Sequence, residues 1–198
     1  MWFIYSKFKY KKWNKLTPDK RLEVLRALEK KLAKEQNRDP IDVTVYPDPT
    51  WQSFGMFRTN GGKRQILIHE DLIYNPELRF HALETIIHEG RHASQFVVVN
   101  KKLKWYNFKE RRWKKNWQNY FSSSEDNLMY NNQAIERDAQ QFTIKKLSRL
   151  ARKYRNERDF AYTLHANKMR YENADDDARK KYGMFYKFKI DRNVRNKK

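Results

Sequence analysis

The sequence predicts an α+β fold in which a small N-terminal sheet, antiparallel or mixed, is followed by a long helix and a mostly helical C-terminal part. Leucines repeat at helical spacing after Thr17, short segments of alternating polar and apolar residues lie within 41–70, and long amphipathic stretches follow residue 75. No repeat and no Gly/Pro-rich linker interrupts the chain, so we expect one domain over residues 1–198. Its core is expected at about 17–153, with basic extensions at both ends.

The first helix and the sheet are predicted between Thr17 and residue 70. Thr17 is a good N-cap and Pro18 suits the first helical position, while "NRDP" ends the helix near residue 38. The segment "IDVTVY" alternates as a strand does. The segment "SFGMFRTNGGKRQILIHE" indicates two strands joined by a hairpin turn around Asn60-Gly61, a pair that favours such turns.

The remainder of the chain is predicted to be mainly helical. Asn75-Pro76-Glu77 opens a long helix that continues to about Val99, and a basic, aromatic block follows at 101–120. After the polar break "SSSEDN", a second long helix is expected from about Asn131 to Tyr154. A last helix fits within 157–181, ahead of a basic tail.

Composition excludes several classes of protein. No apolar run approaches eighteen residues, so we expect no membrane span. The start, "MWFIYSKFKYKKW", has no apolar stretch followed by a small-residue cleavage site, so we expect no secretory signal and a cytoplasmic location. Delivery into another cell or compartment stays open. The absence of cysteine excludes a disulfide framework and any cysteine-ligated zinc. The composition predicts no particular oligomeric state.

One short stretch contains a possible metal-binding motif. In "ETIIHEGRHASQ", His88, Glu89 and His92 form the pattern H-E-x-x-H. Imidazoles four residues apart on a helix lie one turn apart on the same face, so both can reach one zinc ion at about 2.0–2.1 Å. Glu89 then points beside the metal and can act as general base toward a water whose pKa the zinc lowers to about 7.

The face of this helix that carries the two histidines is unusual. The apolar residues of the helix fill one arc, while His81, Thr85 and Gln95 share the opposite arc with His88 and His92. A surface helix normally places Lys and Glu there. His81 lies about 10 Å along the axis from His88, too far to share its metal. The alternative is a pair of hydrogen-bonded surface histidines without a metal.

A third metal ligand must come from another element, and Glu136 in "YNNQAIERDAQQF" is the best candidate. It falls within the apolar stripe of its predicted helix, where a carboxylate is costly unless it is paired or bound to metal. Ala139, one turn later, is small enough to allow close helix packing. Asp138 suits a supporting role, accepting the outer N–H of a ligating histidine. A solvated acid near the helix start is the alternative for Glu136, and His165 is the alternative ligand.

The combination of H-E-x-x-H on one helix and E-x-x-A on a later one resembles the zincin metallopeptidases with a glutamate third ligand. More specifically, "LETIIHEGRHASQ" and "YNNQAIERDAQQF" look like the minimal zincin domains of bacterial mobile-element and polymorphic-toxin proteins. The resemblance covers roughly residues 17–153, and only two helices carry specific motifs.

This resemblance implies a zinc-dependent endopeptidase that acts on a protein or peptide substrate. His88, His92 and Glu136 would bind Zn²⁺, Glu89 would be the general base, and Tyr130 is a candidate for stabilising the oxyanion. The edge strand of the small sheet would hold the substrate backbone, and "RQILIH" is expected in that role. Two other functions stay open: a nucleic-acid-binding or regulatory protein of a mobile element with a vestigial zinc site, and a delivered peptidase toxin.

The net charge of +20 creates a field that attracts anions, among them nucleic acid. Within 101–120, eight Lys or Arg stand against one Glu and alternate with aromatic residues, a mixture that suits single-stranded nucleic acid. Alternatively, Trp113, Trp117 and Tyr120 form one buried helix face. Several cations of the C-terminal tail could also contact an anionic partner: Lys187, Lys189, Arg192, Arg195, Lys197 and Lys198.

Overall fold

The computed structural model describes the chain over 3–46, 50–51, 53–101, 106–122 and 124–183, and the basic tail discussed above lies outside these residues. Their fold is α+β, as predicted: mostly helical, with one three-stranded mixed sheet. The helices are α1 (Phe3–Ser6), α2 (Tyr10–Trp13), α3 (Pro18–Glu35), α4 (Asp71–Tyr74), α5 (Arg79–Asn100), α6 (Phe108–Gln118), α7 (Asn127–Asn132), α8 (Ala134–Leu150) and α9 (Arg158–Tyr182).

Helix α3 begins where the sequence predicted. The Thr17 side chain accepts a hydrogen bond from the backbone N–H of Lys20, and Pro18 occupies the first helical position. Its leucines at positions 25, 28 and 32 are fully buried against α5 and the sheet. Local capping and spacing therefore determine this element.

The sheet contains β1 (Asp42–Tyr46), β2 (Gly55–Asn60) and β3 (Lys63–His69) in the order β1-β3-β2. β1 runs parallel to β3, and β2 runs antiparallel to it. The expectation that "RQILIH" forms an edge strand is therefore wrong, because β3 lies in the centre of the sheet. β2 is the edge strand next to α5.

The hairpin turn lies one residue later than predicted. Asn60 pairs with Lys63, so the two loop residues are Gly61 and Gly62, with φ angles of 54° and 81°. A tight two-residue turn that matches the strand twist requires positive φ at both positions, which glycine adopts without steric cost.

Helix α5 passes through the middle of the molecule and is buried on most of its circumference. A short 3₁₀ turn at Pro76–Leu78, capped by the Asn75 side chain, precedes it. The helix packs against α3, α6, α8, β2 and β3. The main core extends beyond the predicted limits of 17–153, because it also buries aromatic side chains from both ends of that range: Tyr5, Phe8, Trp13, Tyr154 and Phe160.

The predicted helix from 131 to 154 is interrupted at Gln133 and ends at Leu150. Gln133 is extended, with ψ 146°, and its side-chain amide forms hydrogen bonds with both the N–H and the carbonyl of Phe121. These bonds hold residue 133 out of a helical conformation, so α8 starts at Ala134 and Glu136 lies in its first turn. Among the described residues, no helix combines the length and the apolarity that crossing a membrane requires.

Candidate metal centre

Three of the predicted residues converge where α5 and α8 pack together. The Nε2 atoms of His88 and His92 lie 3.1 Å apart. Each of them lies 3.3 Å from Oε2 of Glu136. His92 and Glu136 are buried, and His88 is partly exposed at the cleft. A single group of side chains thus presents two imidazole nitrogens and one carboxylate oxygen toward a common point.

The spacing of these atoms fits a metal ion. Ligands held about 2.0–2.1 Å from a tetrahedral zinc ion lie roughly 3.3 Å from one another. The three observed separations, 3.1, 3.3 and 3.3 Å, match one face of such a tetrahedron. Two histidines and a carboxylate leave a fourth position for water or substrate, as catalytic sites do. Other first-row metals also accept this ligand set.

Glu136 and the two histidines affect one another's protonation. Burial lowers the pKa of His92, but the nearby Glu136 carboxylate outweighs it and raises that pKa to about 9. Burial also raises the pKa of Glu136, yet the two imidazoles hold it well below its usual range. The metal-free centre therefore contains an imidazolium–carboxylate ion pair at neutral pH. A divalent cation would replace the proton of that pair.

The outer nitrogen of His92 is held by Gln95. Nδ1 of His92 lies 2.9 Å from the Gln95 side-chain oxygen, so this oxygen accepts the N–H and leaves Nε2 directed at Glu136. The Gln95 amide in turn donates to Asp138 and to the carbonyl of Ile135, at 2.9 Å each. The expected direct contact between Asp138 and a ligating histidine is therefore wrong: Asp138 acts one residue further out, where Arg91 also donates to it.

Glu89 lies beside the three ligands and is held by the backbone of β2. Its Oε2 accepts the N–H of Phe57 at 2.7 Å. Asn60 and Lys63 form the hydrogen-bonded pair that closes the hairpin, and such pairs alternate along two antiparallel strands with pairs that are not hydrogen-bonded. Phe57 and Gly55 are at positions of the second kind, so their backbone N–H and C=O groups point away from β3. The other carboxylate oxygen of Glu89 has no such anchor among the described hydrogen bonds, and the carboxylate lines the cleft.

The close approach of β2 to α5 depends on Gly55. A Cβ at this position would lie 2.2 Å from Cγ2 of Thr85 and 3.4 Å from Cγ of Glu89. Thr85 is buried on the face of α5 that also carries Glu89. No larger residue fits at position 55 unless β2, α5 or the Thr85 side chain moves.

A buried ion pair fixes the opposite side of the motif. Arg38 forms two hydrogen bonds with Glu29, at 2.6 and 2.8 Å, and also donates to the carbonyl of Gly90 and to Ser94. Glu29 and Arg38 are almost completely buried. A Cβ on Gly90 would lie 3.1 Å from the Glu29 carboxylate, so the small residue between Glu89 and His92 allows α3 and α5 to approach closely.

Two tyrosines lie next to Glu136. The Tyr120 hydroxyl donates to Oε1 of Glu136 at 2.8 Å, which leaves Oε2 for the histidines. The Tyr130 ring lies 6.0 Å from that of Tyr120, edge to face. Burial and the Glu136 charge raise the pKa of both phenols well above the usual range, so both remain protonated donors. The oxyanion role expected for Tyr130 stays a prediction. The hydrogen bond from Tyr120 to Glu136, sixteen residues later in the chain, was not predicted.

The cleft at the centre has two limbs that share Ser53, Gly55, Glu89, Tyr130 and Glu136. The larger limb, of about 560 Å³, is mostly aromatic and apolar, and its walls include Trp51, Met56, Phe57, Trp117, Tyr120 and Ile135. The smaller limb, of about 170 Å³, is polar, and its walls include Ser53, Glu84, Thr85, Asn131, Arg137 and Arg170. The ligand group thus lies between two clefts of different chemistry.

Two other histidines that the sequence analysis considered, His81 and His165, lie apart from the group of His88, His92 and Glu136. His81 packs its ring against Phe54, with centroids 5.1 Å apart, and its Nδ1 lies 3.6 Å from Glu84. His165 is exposed beside Tyr154 in a different cleft, so the alternative ligand does not join the group. Within the described ranges, His88, His92 and Glu136 form the one cluster of such side chains with metal-binding spacing.

Comparisons with protein-family models, curated proteins and solved structures find no match to this chain. Its function must therefore be argued from the centre itself.

Proposed function

We propose that this protein is a zinc-dependent metallopeptidase with a zincin-like arrangement of its catalytic helix and third ligand. The observation that carries the proposal is the triangle of His88, His92 and Glu136, with Glu89 alongside and an open cleft on either side. Burying a carboxylate, two imidazoles and a second carboxylate together is costly without a cation. The same residues next to a metal form a hydrolytic site.

The roles of the side chains follow from their positions. His88, His92 and Glu136 would hold the ion, which when bound supplies Lewis acidity and lowers the pKa of water. Glu89 would accept the proton of the attacking water and deliver it to the leaving amine. Its Oε2 is anchored on the Phe57 N–H at 2.7 Å, so its other oxygen would carry the proton.

The two limbs suggest how a peptide would lie. An extended peptide crossing the centre would place one side chain in the aromatic limb and the other flank in the polar limb. β2, rather than β3, is the edge strand beside the cleft. Glu89 already accepts the N–H of Phe57, so a peptide backbone could pair only with the remaining outward groups of this strand. Tyr130 lies between the limbs as a neutral donor for the developing oxyanion. We therefore expect cleavage next to a large apolar residue.

The decisive experiment separates the base from the ligand. Glu89→Gln keeps the size of the side chain but removes its basicity, so this variant should retain about one zinc per chain and lose peptidase activity by at least about a hundredfold. Glu136→Gln should instead lose metal, because a neutral amide is a poor zinc ligand. Metal content is measured by elemental analysis after reconstitution with zinc, and activity on a peptide library.

His88→Ala and His92→Ala should each abolish zinc binding, while His165→Ala, which removes an exposed imidazole far from the group, serves as the matched control. Protein that takes up no zinc after reconstitution would end the enzymatic proposal. Loss of metal from Glu89→Gln with retention by Glu136→Gln would show that the two acids have been assigned the wrong roles.

A further inference from the structure

A second cleft lies between α6, the start of α8, and α9. Its volume is about 340 Å³, and its walls include Phe108, Arg112, Trp113, Asn132, Arg137 and Tyr171. Arg137 and Tyr171 also border the polar limb of the metal centre, but none of the metal-ligand group lines this second cleft. The proposed peptidase activity makes no use of it.

Three residues that line this cleft carry buried polar atoms for which the described part of the chain provides no hydrogen-bond partner. They are Nε of Arg112, Nε1 of Trp113 and Oδ1 of Asn132. Trp113 and Asn132 are more than nine-tenths buried. Folded proteins satisfy most buried polar groups, and these three atoms are themselves shielded from solvent. They mark a polar wall behind the cleft but are not the groups that a bound ligand would contact.

The outer face of α6 is strongly basic. The helix contains Lys109, Arg111, Arg112, Lys114 and Lys115 against a single acid, Glu110. Glu110 is engaged in capping its own helix, where its side chain accepts the N–H of Asn107. Lys109 contacts Asp138, and the Lys114 ammonium lies 4.7 Å from the centre of the Tyr106 ring, whereas Arg111 extends into solvent. The positive charge of this face is therefore directed outward.

An aromatic ring is available on the same face. Phe108 begins α6 and is 71% exposed, and the Arg112 guanidinium lies 5.9 Å from the centre of its ring. Trp113 is not available for stacking, because it is 5% exposed and packs with Val99 and Ile135, as the alternative of a buried helix face predicts for this residue. Phe108 thus presents a free phenyl face between cations.

We propose that the face formed by Phe108, Arg111, Arg112 and the adjoining cleft binds single-stranded nucleic acid. An unpaired base would stack on Phe108 while the arginines contact phosphates on either side of it. Bases of a duplex already stack on one another, so the phenyl ring selects single strands. The net charge of +20 would draw the polyanion toward the whole molecule.

The test uses the full chain and a fluorescently labelled oligo-dT of about twelve nucleotides, with binding followed by anisotropy. Phe108→Ala should weaken binding about tenfold, since stacking of one base on an aromatic ring contributes on this order. Phe3→Ala is the matched control: Phe3 is 74% exposed and also has a lysine over its ring, yet lies in α1. It should leave affinity within about twofold.

Charge is tested separately from stacking. Arg111→Ala should reduce the slope of log affinity against log salt by about one, whereas Lys20→Ala, on the exposed surface of α3, should change it by much less. All four positions are solvent-exposed, so circular dichroism should show unchanged folds.

Two outcomes would overturn the proposal. The first is equal loss of affinity from Phe108→Ala and Phe3→Ala, or no binding at all in low salt. The second is equally tight binding of duplex DNA or of a polyglutamate of matched length, which would show a general attraction for polyanions instead. Both measurements are made without metal, so their result does not depend on the proposed peptidase activity.

Discussion

Gly55→Ala should strain the junction between β2 and α5. Glycine is required there because the new methyl group would lie 2.2 Å from Cγ2 of Thr85, while ordinary van der Waals contact begins at 3.4 Å. The difference, 3.4 − 2.2 = 1.2 Å, must be made up by moving the strand, the helix or the Thr85 side chain. Thr85 is buried and β-branched, so its side chain has few other rotamers.

The loss of stability in Gly55→Ala can be estimated from the general effect of overpacking. Inserting one methyl group into a tightly packed position costs about 1–3 kcal/mol in the free energy of unfolding. For a chain of this size each kcal/mol lowers the melting temperature by about 2–4 °C, so we expect a decrease of roughly 2–12 °C. Displacement of β2 would also lengthen the hydrogen bond from Phe57 to Glu89. The expected peptidase activity should therefore decrease even at temperatures where the variant remains folded.

The second substitution that tests this reasoning is Thr85→Ser, which removes the methyl group that the new alanine would meet. The double variant Gly55→Ala/Thr85→Ser should recover most of the lost stability, and the coupling energy should be about 1–2 kcal/mol in a double-mutant cycle. Urea denaturation followed by tryptophan fluorescence measures all four proteins. Additive effects of the two substitutions, with no recovery in the double variant, would refute the steric argument.

Three further predictions concern the metal centre and its support. At pH 7 the uptake of zinc should release about one proton, because the pKa of His92 near 9 keeps it protonated until metal binds; calorimetry in buffers of different ionisation enthalpy measures this. Glu29→Gln should cost about 3–5 kcal/mol in urea denaturation, since Arg38 would stay charged and buried. Tyr120→Phe should weaken zinc affinity about tenfold in a chelator competition, without unfolding, because Glu136 loses its hydrogen-bond donor.

The raised pKa of His92 also predicts that the metal-free protein becomes less stable as the pH rises. A folded-state pKa near 9, above the ordinary 6.5, stabilises the metal-free protein fully below pH 6.5, and this contribution is lost as the pH rises through 9. Glu136 has the opposite dependence: its lowered pKa contributes stability above its ordinary value of 4.5, and this is lost in acid. Metal-free protein should therefore unfold more readily at pH 10 than at pH 7, whereas zinc-loaded protein should not.

The features that the sequence predicted correctly depend on local spacing. Thr17 and Pro18 define the start of α3 because a cap and a first-turn proline act within one helical turn. The burial of Glu136 follows from its place among the apolar residues of α8. The expected clustering of His88 with His92 follows from the four-residue spacing alone.

The features that the sequence did not predict are contacts between segments that lie far apart in the chain. The order of strands could not be read from the hairpin, because β1 could have paired with either β2 or β3, and only tertiary packing selects β3. The contact of Tyr120 with Glu136 and that of Phe57 with Glu89 span sixteen and thirty-two residues. No periodic pattern in either partner encodes such contacts. The sequence placed Gln95 on the face that carries the histidines, but its hydrogen bonds to Ile135 and Asp138 join α5 to α8 and follow only from the packing of these helices.

The anchor of Glu89 has a consequence for how the cleft can vary. Its partner is a backbone N–H of β2, which every residue type except proline provides at position 57. Substitutions of the side chains at 56 and 57 would therefore reshape the aromatic limb while leaving the carboxylate in place. In the proposed peptidase, the side chains of β2 would set selectivity, while its backbone would hold the base in position. A library randomised at these two positions, with Gly55 retained, should yield variants with new preferences far more often than variants that are inert.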